Sequence, residues 1–350
     1  MPAEPCPSDP KSRLALTEFL LSAFHLKSDA PFVRPEMLRW KYDEPRIDYA
    51  GPRSHVWKDA AGQIVAHACL CPVTYSLPSG AVRASYLIDW AASRAAAGAG
   101  VSLLRTLARE FDVLLAVGGT PDTLSLLPKL GYRRAGELQL FARVIRPWDQ
   151  FRTDPFPRGW KAPLRLARNM VWSRSEMPAP PAGWSAQPIT TFDLSCQPLF
   201  AARVHAPFHS SRRTPGLMNY WLACPGAVIS AALLRYNGEL RGWYVLSRVL
   251  GQIRVADLWI DSNAVSDWAA GLSLASAAAV ADPAAYELVA ALSVPIAIEA
   301  APLAGLRLHH SEPIFALDPK TCLGTSPTLN VTPLESDLAY HQSPTYPYLT

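Results

Sequence analysis

Residues 87–111 read LIDWAASRAAAGAGVSLLRTLAREF, and three local patterns meet inside that stretch. Leu87 to Ser93 closes a short apolar run that begins near Val82 and reads as a strand. Arg94 to Gly100 is small, flexible and glycine-bearing, which reads as a turn. From Val101 the apolar residues Val101, Leu103, Leu104, Leu107 and Ala108 keep helical spacing. A strand, a glycine turn and a helix in direct succession place the surrounding chain in a mixed α/β class.

Working upstream, 14–27 predicts an amphipathic helix and 35–42 a second, with Pro35 suited to its first turn and Pro45 ending it. His55–Trp57, Gln63–Tyr75 and Val82–Ala91 read as strands, separated by Asp-Ala-Ala-Gly and Pro-Ser-Gly turns. Downstream come a buried-type strand at 113–119, a helical segment at 123–130, the pair Gly131-Tyr132, and a last strand near 136–145.

Composition bounds the rest. Apolar residues make up 49% and charged residues 18% of 350, which excludes a disordered chain and predicts two domains, or one large one, with ample core. A net charge of +4, well dispersed, argues against nucleic acid as a partner. None of the six cysteines forms a CxxC pair, so reduced thiols and no metal site are expected. The apolar run Leu14–Phe24 is broken by Glu18, and the alanine-rich tract 269–304 by Asp282, Pro283, Glu287 and Pro295. Neither gives a signal core or a transmembrane segment, and a soluble, cytoplasmic protein is expected.

Prolines cluster at 146–183, the expected linker between a domain at 1–145 and a second at 184–332, with a tail at 333–350. The middle of that linker, RGWKAPLRLARNMVWSR (158–174), carries five cations and two tryptophans. It reads either as an interdomain brace with arginines turned to water or as a basic aromatic helix lying on an anionic membrane. The brace is the simpler reading. The second half repeats the first in outline. MNYWLACP (218–225) echoes LRWKYDEP (38–45), and VADLWIDS (255–262) echoes LIDWAAS (87–93), aligning Asp257 with Asp89.

The order of elements resembles the GNAT superfamily of acyl-CoA-dependent N-acyltransferases, in tandem. The LRWKY…P segment is similar to that of bacterial GNAT proteins associated with cell-surface polysaccharide genes. The likeness covers most of 14–145 and, more faintly, 185–318. It is carried first by Ala95-Ala96-Ala97-Gly98-Ala99-Gly100, which matches the family's pyrophosphate-binding turn except that Ala95 stands where the family has Gln or Arg. Arg94 lies one residue away. It is carried second by Leu127-Pro128-Lys129-Leu130-Gly131-Tyr132, where Leu127 replaces the tyrosine that protonates the leaving thiolate in many members.

The resemblance implies a duplicated GNAT-like mixed sheet flanked by helices. It implies acetyl-CoA or another acyl-CoA as co-substrate, held by Trp90, Ala91, Arg94, Gly98, Ala99, Gly100 and Val101, and a small amine or amino sugar as acceptor. Glycines let backbone N–H groups approach phosphates, and a helix N-terminus favours anions. Asp89 is the first candidate base, His67 on the neighbouring strand the second, and Thr120 a candidate contact for acceptor or thiol. The second half has no GxG turn in SNAVSDWAAG (262–271) and is not expected to bind CoA. GxSxG, GxxxxGK[ST], HExxH and GxGxxG are all missing, which sets aside the corresponding hydrolase, nucleotide, metalloprotease and dinucleotide classes. The competing reading is a GNAT-fold protein that binds a ligand or partner without turnover.

Overall fold

The computed structural model describes residues 3–77, 80–154, 160–175, 177–341 and 347–350. Pro78 and Ser79 of the expected turn, Pro155, Pro157 and Arg158 of the expected linker, and Pro344 of the tail lie outside the described residues. The chain packs as two compact units, Met1–Gly136 with Pro313–Pro327, and Glu137–Glu312 with Thr328–Thr350.

The first unit runs β1 (Glu4–Pro5), α1 (Pro10–Ala23), α2 (Pro35–Leu38) extended by a wide turn over Arg39–Asp43, β2 (Ser54–Lys58), β3 (Ile64–Leu77), β4 (Gly80–Ala92), α3 (Ala99–Leu107), β5 (Val113–Val117) and α4 (Pro121–Leu126). Local chemistry sets the helix ends. Asp9 accepts from the N–H groups of Lys11 and Ser12 before Pro10 opens α1, and the Thr120 hydroxyl accepts from the Thr123 N–H at α4. Then come β6 (Arg133–Val144), most of which belongs to the second unit, α5 (Pro147–Thr153), α6 (Ala162–Ser173), β7 (Trp184–Ile189), α7 (Gln197–Ala202), β8 (His209–Ser210), α8 (Pro215–Leu222), β9 (Val228–Tyr236), β10 (Glu239–Val249), β11 (Gln252–Ile260), α9 (Val265–Ala281), β12 (Glu287–Leu292) and α10 (Pro295–Leu303) of the second unit, β13 (Arg307–Leu317), which crosses into the first unit at Pro313, and β14 (Leu329–Asn330) of the second.

The sheets of the two units repeat one order. In the first it is β1-β2-β3-β4-β5-β13, and in the second β7-β9-β10-β11-β12-β6. In each, only the fourth and fifth strands pair in parallel, β4 with β5 and β11 with β12. The sixth strands are exchanged. Residues Glu287–Leu292 of β12 pair with Gln139–Val144 of β6, while Val117 to Leu114 of β5 pair with Ile314 to Leu317 of β13. This places the cut between units at Gly136, inside the strand expected to close the first domain, and gives 313–327 to the first unit.

The expected linker is structured where described. α5 and α6 lie in the second unit, with Gln150, Asn169 and Trp172 buried. Asn169 Nδ2 donates to Gln150 Oε1 at 3.0 Å, and the Arg307 guanidinium lies 4.8 Å from the Trp172 ring centroid. Much of the expected tail is also packed. Leu334, Glu335 and Ala339 are buried, and the Thr350 N–H donates to the buried Glu287 at 2.8 Å.

The first unit's core on the α3 side gathers Ala66, Ala68 and Leu70 of β3, Leu114 and Ala116 of β5, Ala99, Leu103 and Leu107 of α3, Leu127 and Tyr132. Among the described residues the Tyr132 hydroxyl has no hydrogen-bond partner, and burial pushes its pKa up. A buried hydroxyl without a partner carries its full desolvation cost. Tyr132→Phe should therefore leave stability unchanged or raise it by up to about 1 kcal/mol in urea unfolding. A loss of more than that would reveal a partner for the hydroxyl.

Candidate active site

The site begins with a parting of strands. β4 and β5 pair only over Ala84–Tyr86 and Val113–Leu115, after which β4 continues to Ala92 along β3. Just past that point β4 bulges. Cys69 pairs with Ile88 and His67 with Ala91, so Asp89 and Trp90 together face the single residue Ala68. Asp89 takes a φ of +52°, a region that aspartate tolerates better than most residues.

The extra residue reverses the alternation of side chains. Leu87 packs against the α3-side core; strict alternation would bring Asp89 and Ala91 there next, yet it is Trp90 that packs there. Trp90 Nε1 donates to the Gly100 carbonyl at 3.3 Å. A Cβ on Gly100 would lie 2.9 Å from the Ala92 Cβ and 3.2 Å from Trp90 Nε1, so glycine is required there by close helix–strand packing. Gly98 differs: its φ is +82°, and a Cβ there would meet nothing within 4 Å. The outer surface of the turn is open.

Ala99 N–H donates to Ala96 O and Ser102 N–H to Gly98 O. Among the described residues, no side chain caps α3, and no backbone acceptor takes the N–H groups of Gly100 and Val101. These groups lie at the positive end of the helix dipole, an arrangement that favours a negative charge. Arg94 is exposed next to the turn.

On the opposite face of β4 the Asp89 carboxylate is buried against Lys41 Nζ at 2.5 Å and accepts from the Tyr42 hydroxyl at 2.9 Å. Lys41 also lies 4.5 Å from the Phe32 ring centroid. Burial, and then the Asp89 charge, push the Tyr42 phenol well above its ordinary range, so it stays a donor. His67 Nδ1 faces the Asp89 carbonyl at 3.0 Å. A carbonyl only accepts, so Nδ1 carries the proton and Nε2 accepts from Ser54 Oγ at 3.0 Å. The Ser54–His67–Asp89 row thus ends on a backbone carbonyl rather than a carboxylate, and all three residues are buried. Thr120 sits apart, exposed, with its hydroxyl engaged in capping α4.

Of the sequence candidates, the fold brings Trp90 to Gly100 and Asp89 to His67, on the two faces of one bulge. Thr120 joins neither group. Leu127 is buried in the core. Lys41, Tyr42 and Ser54 are the members of the network that the sequence reading did not single out as functional. The available signal was a lysine between two aromatic residues in LRWKY.

The second unit has a bulge in the corresponding strand, placed one residue before its aspartate. Val245 pairs with Asp257 and Leu246 with Val255, leaving Ala256 extra. Burial would raise the Asp257 carboxyl, but Arg213 at 3.0 Å and Arg203 at 3.7 Å outweigh it and hold it below the usual range. Arg213 also binds Glu335 at 2.7 Å, which gives the Glu335-Ser336-Asp337 segment a structural partner. The parting of β11 and β12 is occupied by this unit's own chain. Val331 N–H donates to Ser293 Oγ at 2.8 Å, and Leu334 N–H to the Ala256 carbonyl at 3.3 Å. At the start of α9, Asp267 accepts from Ser262 Oγ at 2.6 Å, so a carboxylate stands where an anion would bind.

No protein-family model matches the chain, and no curated protein matches it by sequence. Solved structures do match it in fold. A GCN5-related N-acetyltransferase from Anabaena variabilis superposes with a TM-score of 0.59 at 10% identity, over 91% of this chain and 74% of that one. Saccharomyces cerevisiae N-myristoyltransferase, solved with bound myristoyl-CoA, gives 0.61 at 11% identity, over 95% and 86%. An Enterococcus faecalis protein described as a probable N-acyltransferase gives 0.53 at 10% identity, over 90% and 72%. The fold is a duplicated GNAT-like fold, with a mixed sheet flanked by helices in each unit. Among the described residues, no three His, Cys, Asp or Glu side chains group to hold a metal ion, and no helix is long and apolar enough to cross a membrane.

Burial lowers the His67 pKa to about 4, against the raising effect of Asp89. An unfolded histidine titrates near ~6.5, so the unfolded chain takes a proton that the folded one refuses. The stability tied to neutral His67 is full above about pH 6.5 and lost as pH falls toward 4, by on the order of 3 kcal/mol. Urea unfolding across that range should show the decline, and His67→Gln should flatten it. An unchanged slope in the variant would assign the titration elsewhere.

Proposed function

We propose that the chain is an N-acyltransferase that uses acyl-CoA and acts on a small amine, with an amino sugar as the first acceptor to try. The observation that carries this reading is the turn at Gly98 to Val101. The N–H groups of Gly100 and Val101 are unclaimed by the backbone among the described residues, the turn's outer surface is open at Gly98, and Trp90 ties it to β4 beside the parting of β4 and β5. Packing explains glycine at 100; at 98 the turn needs positive φ, and it leaves room outside. The pyrophosphate of the donor belongs at Gly98, Ala99, Gly100 and Val101, with Arg94 as the nearby cation. The acyl group belongs along Trp90 and Ala91, where backbone N–H groups polarise the thioester carbonyl.

Transfer is direct: the free amine attacks the thioester carbon, the C–S bond breaks, CoA leaves as thiolate, and the new amide nitrogen gives up its extra proton to water. Cys69 is buried, and burial followed by the Asp89 charge holds its thiol well above the ordinary range, which disfavours an acyl-enzyme there. Asp89 and His67 serve this site by fixing the bulge. Replacing Asp89 with asparagine strands a buried lysine, so Asp89→Asn should cost about 3–5 kcal/mol of stability. Thermal unfolding checks this, and Lys41→Met introduced with it should recover part of the loss. A variant with normal stability and depressed kcat would return Asp89 to the role of base.

The second reading is a GNAT-fold protein that binds without turnover, favoured by Leu127 at the acid position and its full burial. Titration calorimetry with acetyl-CoA tests the site under either reading. Gly98→Asp should weaken binding by at least about 2 kcal/mol, since a carboxylate then faces the pyrophosphate. Gly98→Asn, which tolerates the same backbone without charge, should bind more tightly than Gly98→Asp. Equal affinity in the wild type and Gly98→Asp moves the donor elsewhere. Binding without product on a panel of amines selects the second reading.

A further inference from the structure

Helix α6 turns the wrong face to water for a structural brace. Its other side packs into the unit: Asn169 bonds Gln150, and Trp172 stacks with Arg307. Its outward side carries Leu164 at 62% exposure and Val171 at 70%, with Ala167 between them also exposed. Trp160, 79% exposed, extends the row just before the helix. Spacings of four, three and four residues put these on one stripe. α5, which packs against α6, exposes another tryptophan, Trp148.

The flanks of the stripe are cationic. Residues 160–175 contain Lys161, Arg165, Arg168 and Arg174 and no acid. Arg165 is paired with Asp154, whereas Lys161, Arg168 and Arg174 are exposed. Arg168 is steadied by two hydrogen bonds to Asn169 Oδ1. An apolar stripe between cations, with a tryptophan at its end, matches the surface of a bilayer containing anionic lipid: the stripe enters the acyl boundary and the cations meet the headgroups. A second copy of this chain fits poorly, because it would press a second set of like charges against the first.

We infer that the outward face of α6, with Trp160, docks this protein peripherally on an anionic lipid surface. The full chain should sediment with vesicles of equal parts phosphatidylcholine and phosphatidylglycerol at least tenfold more than with phosphatidylcholine alone, and less as salt rises. Leu164→Glu with Val171→Glu should abolish binding while far-UV circular dichroism stays unchanged. Lys161→Gln with Arg174→Gln should lower binding by about thirtyfold, because each cation near the surface adds about fivefold. Equal sedimentation with both vesicle types, or a Leu164→Glu/Val171→Glu variant that binds like the wild type, overturns the inference. So does a concentration-dependent dimer, seen by analytical ultracentrifugation, that this variant dissolves, since the face would then be an interface between copies.

Discussion

One extra residue in β4 organises the first unit. With strict alternation the side chains beyond Leu87 would stay in phase, and Asp89 and Ala91 would point at α3. The bulge reverses that phase and delivers Trp90 to Gly100, with Ala92 beneath it. The same reversal turns Asp89 to the other face, into the buried network of Lys41, Tyr42 and His67. A single backbone irregularity therefore sets both the seat of the helix N-terminus and the place of the charged cluster. The Lys41–Asp89 pair, shielded from water, holds the irregularity in place. Such pairs gain little net stability over apolar replacements, but losing one partner is expensive, so the pair acts against a regular strand at this point more than it strengthens the fold.

The second unit shows what the same device does under a different load. Its bulge at Ala256 stands next to a buried aspartate, Asp257, which is paired in register with Val245 and set against Arg213 and Arg203 rather than a lysine. The strand parting beyond it is filled by the unit's own residues from Leu329 to Leu334, and the helix that follows opens with Asp267 in its first turn. An acyl-CoA-like ligand there would have to displace covalently attached chain and face a carboxylate. The two units share one strand order, and the first unit's α3 differs from α9 in having no acidic residue in its first turn.

Much of this was legible in the sequence because the deciding signals are local. The strand, glycine turn and helix at 87–111 are set by residue type and short spacing, whereas the caps at Asp9 and Thr120 went unread, and α1 begins at Pro10 rather than at 14. The alignment of Asp89 with Asp257 was also legible, because a lone acid in an apolar strand stands out. The exchange of β6 and β13 was not. Each follows a helix and a glycine, and nothing within Arg133–Val144 or Arg307–Leu317 says which fifth strand it will join; that choice is made by pairing between residues more than a hundred apart. The bulge was hidden for a related reason. Asp89 and Trp90 are ordinary strand neighbours until their partner strand is known. The amphipathic pattern of α6 showed a stripe and not which side of it the rest of the unit would cover.

The division of labour at β4 bears on how acyl transfer could run without the usual tyrosine. What remains in the first unit is mostly backbone: N–H groups at the start of α3 and along the end of β4, set by packing rather than by side-chain chemistry. The titratable groups nearby are engaged with each other and kept from water. A backbone site can hold and align a thioester, and alignment supplies the larger part of the advantage when two reactants meet at one centre. It cannot protonate the leaving group. A thiolate is stable enough in water to leave unprotonated, so under the proposed activity Leu127 in place of tyrosine would cost a factor of about 10²–10⁴ rather than abolish transfer. The chain's contribution would then be geometric, and the bulge at Asp89, which sets that geometry, would matter to turnover more than any single proton donor.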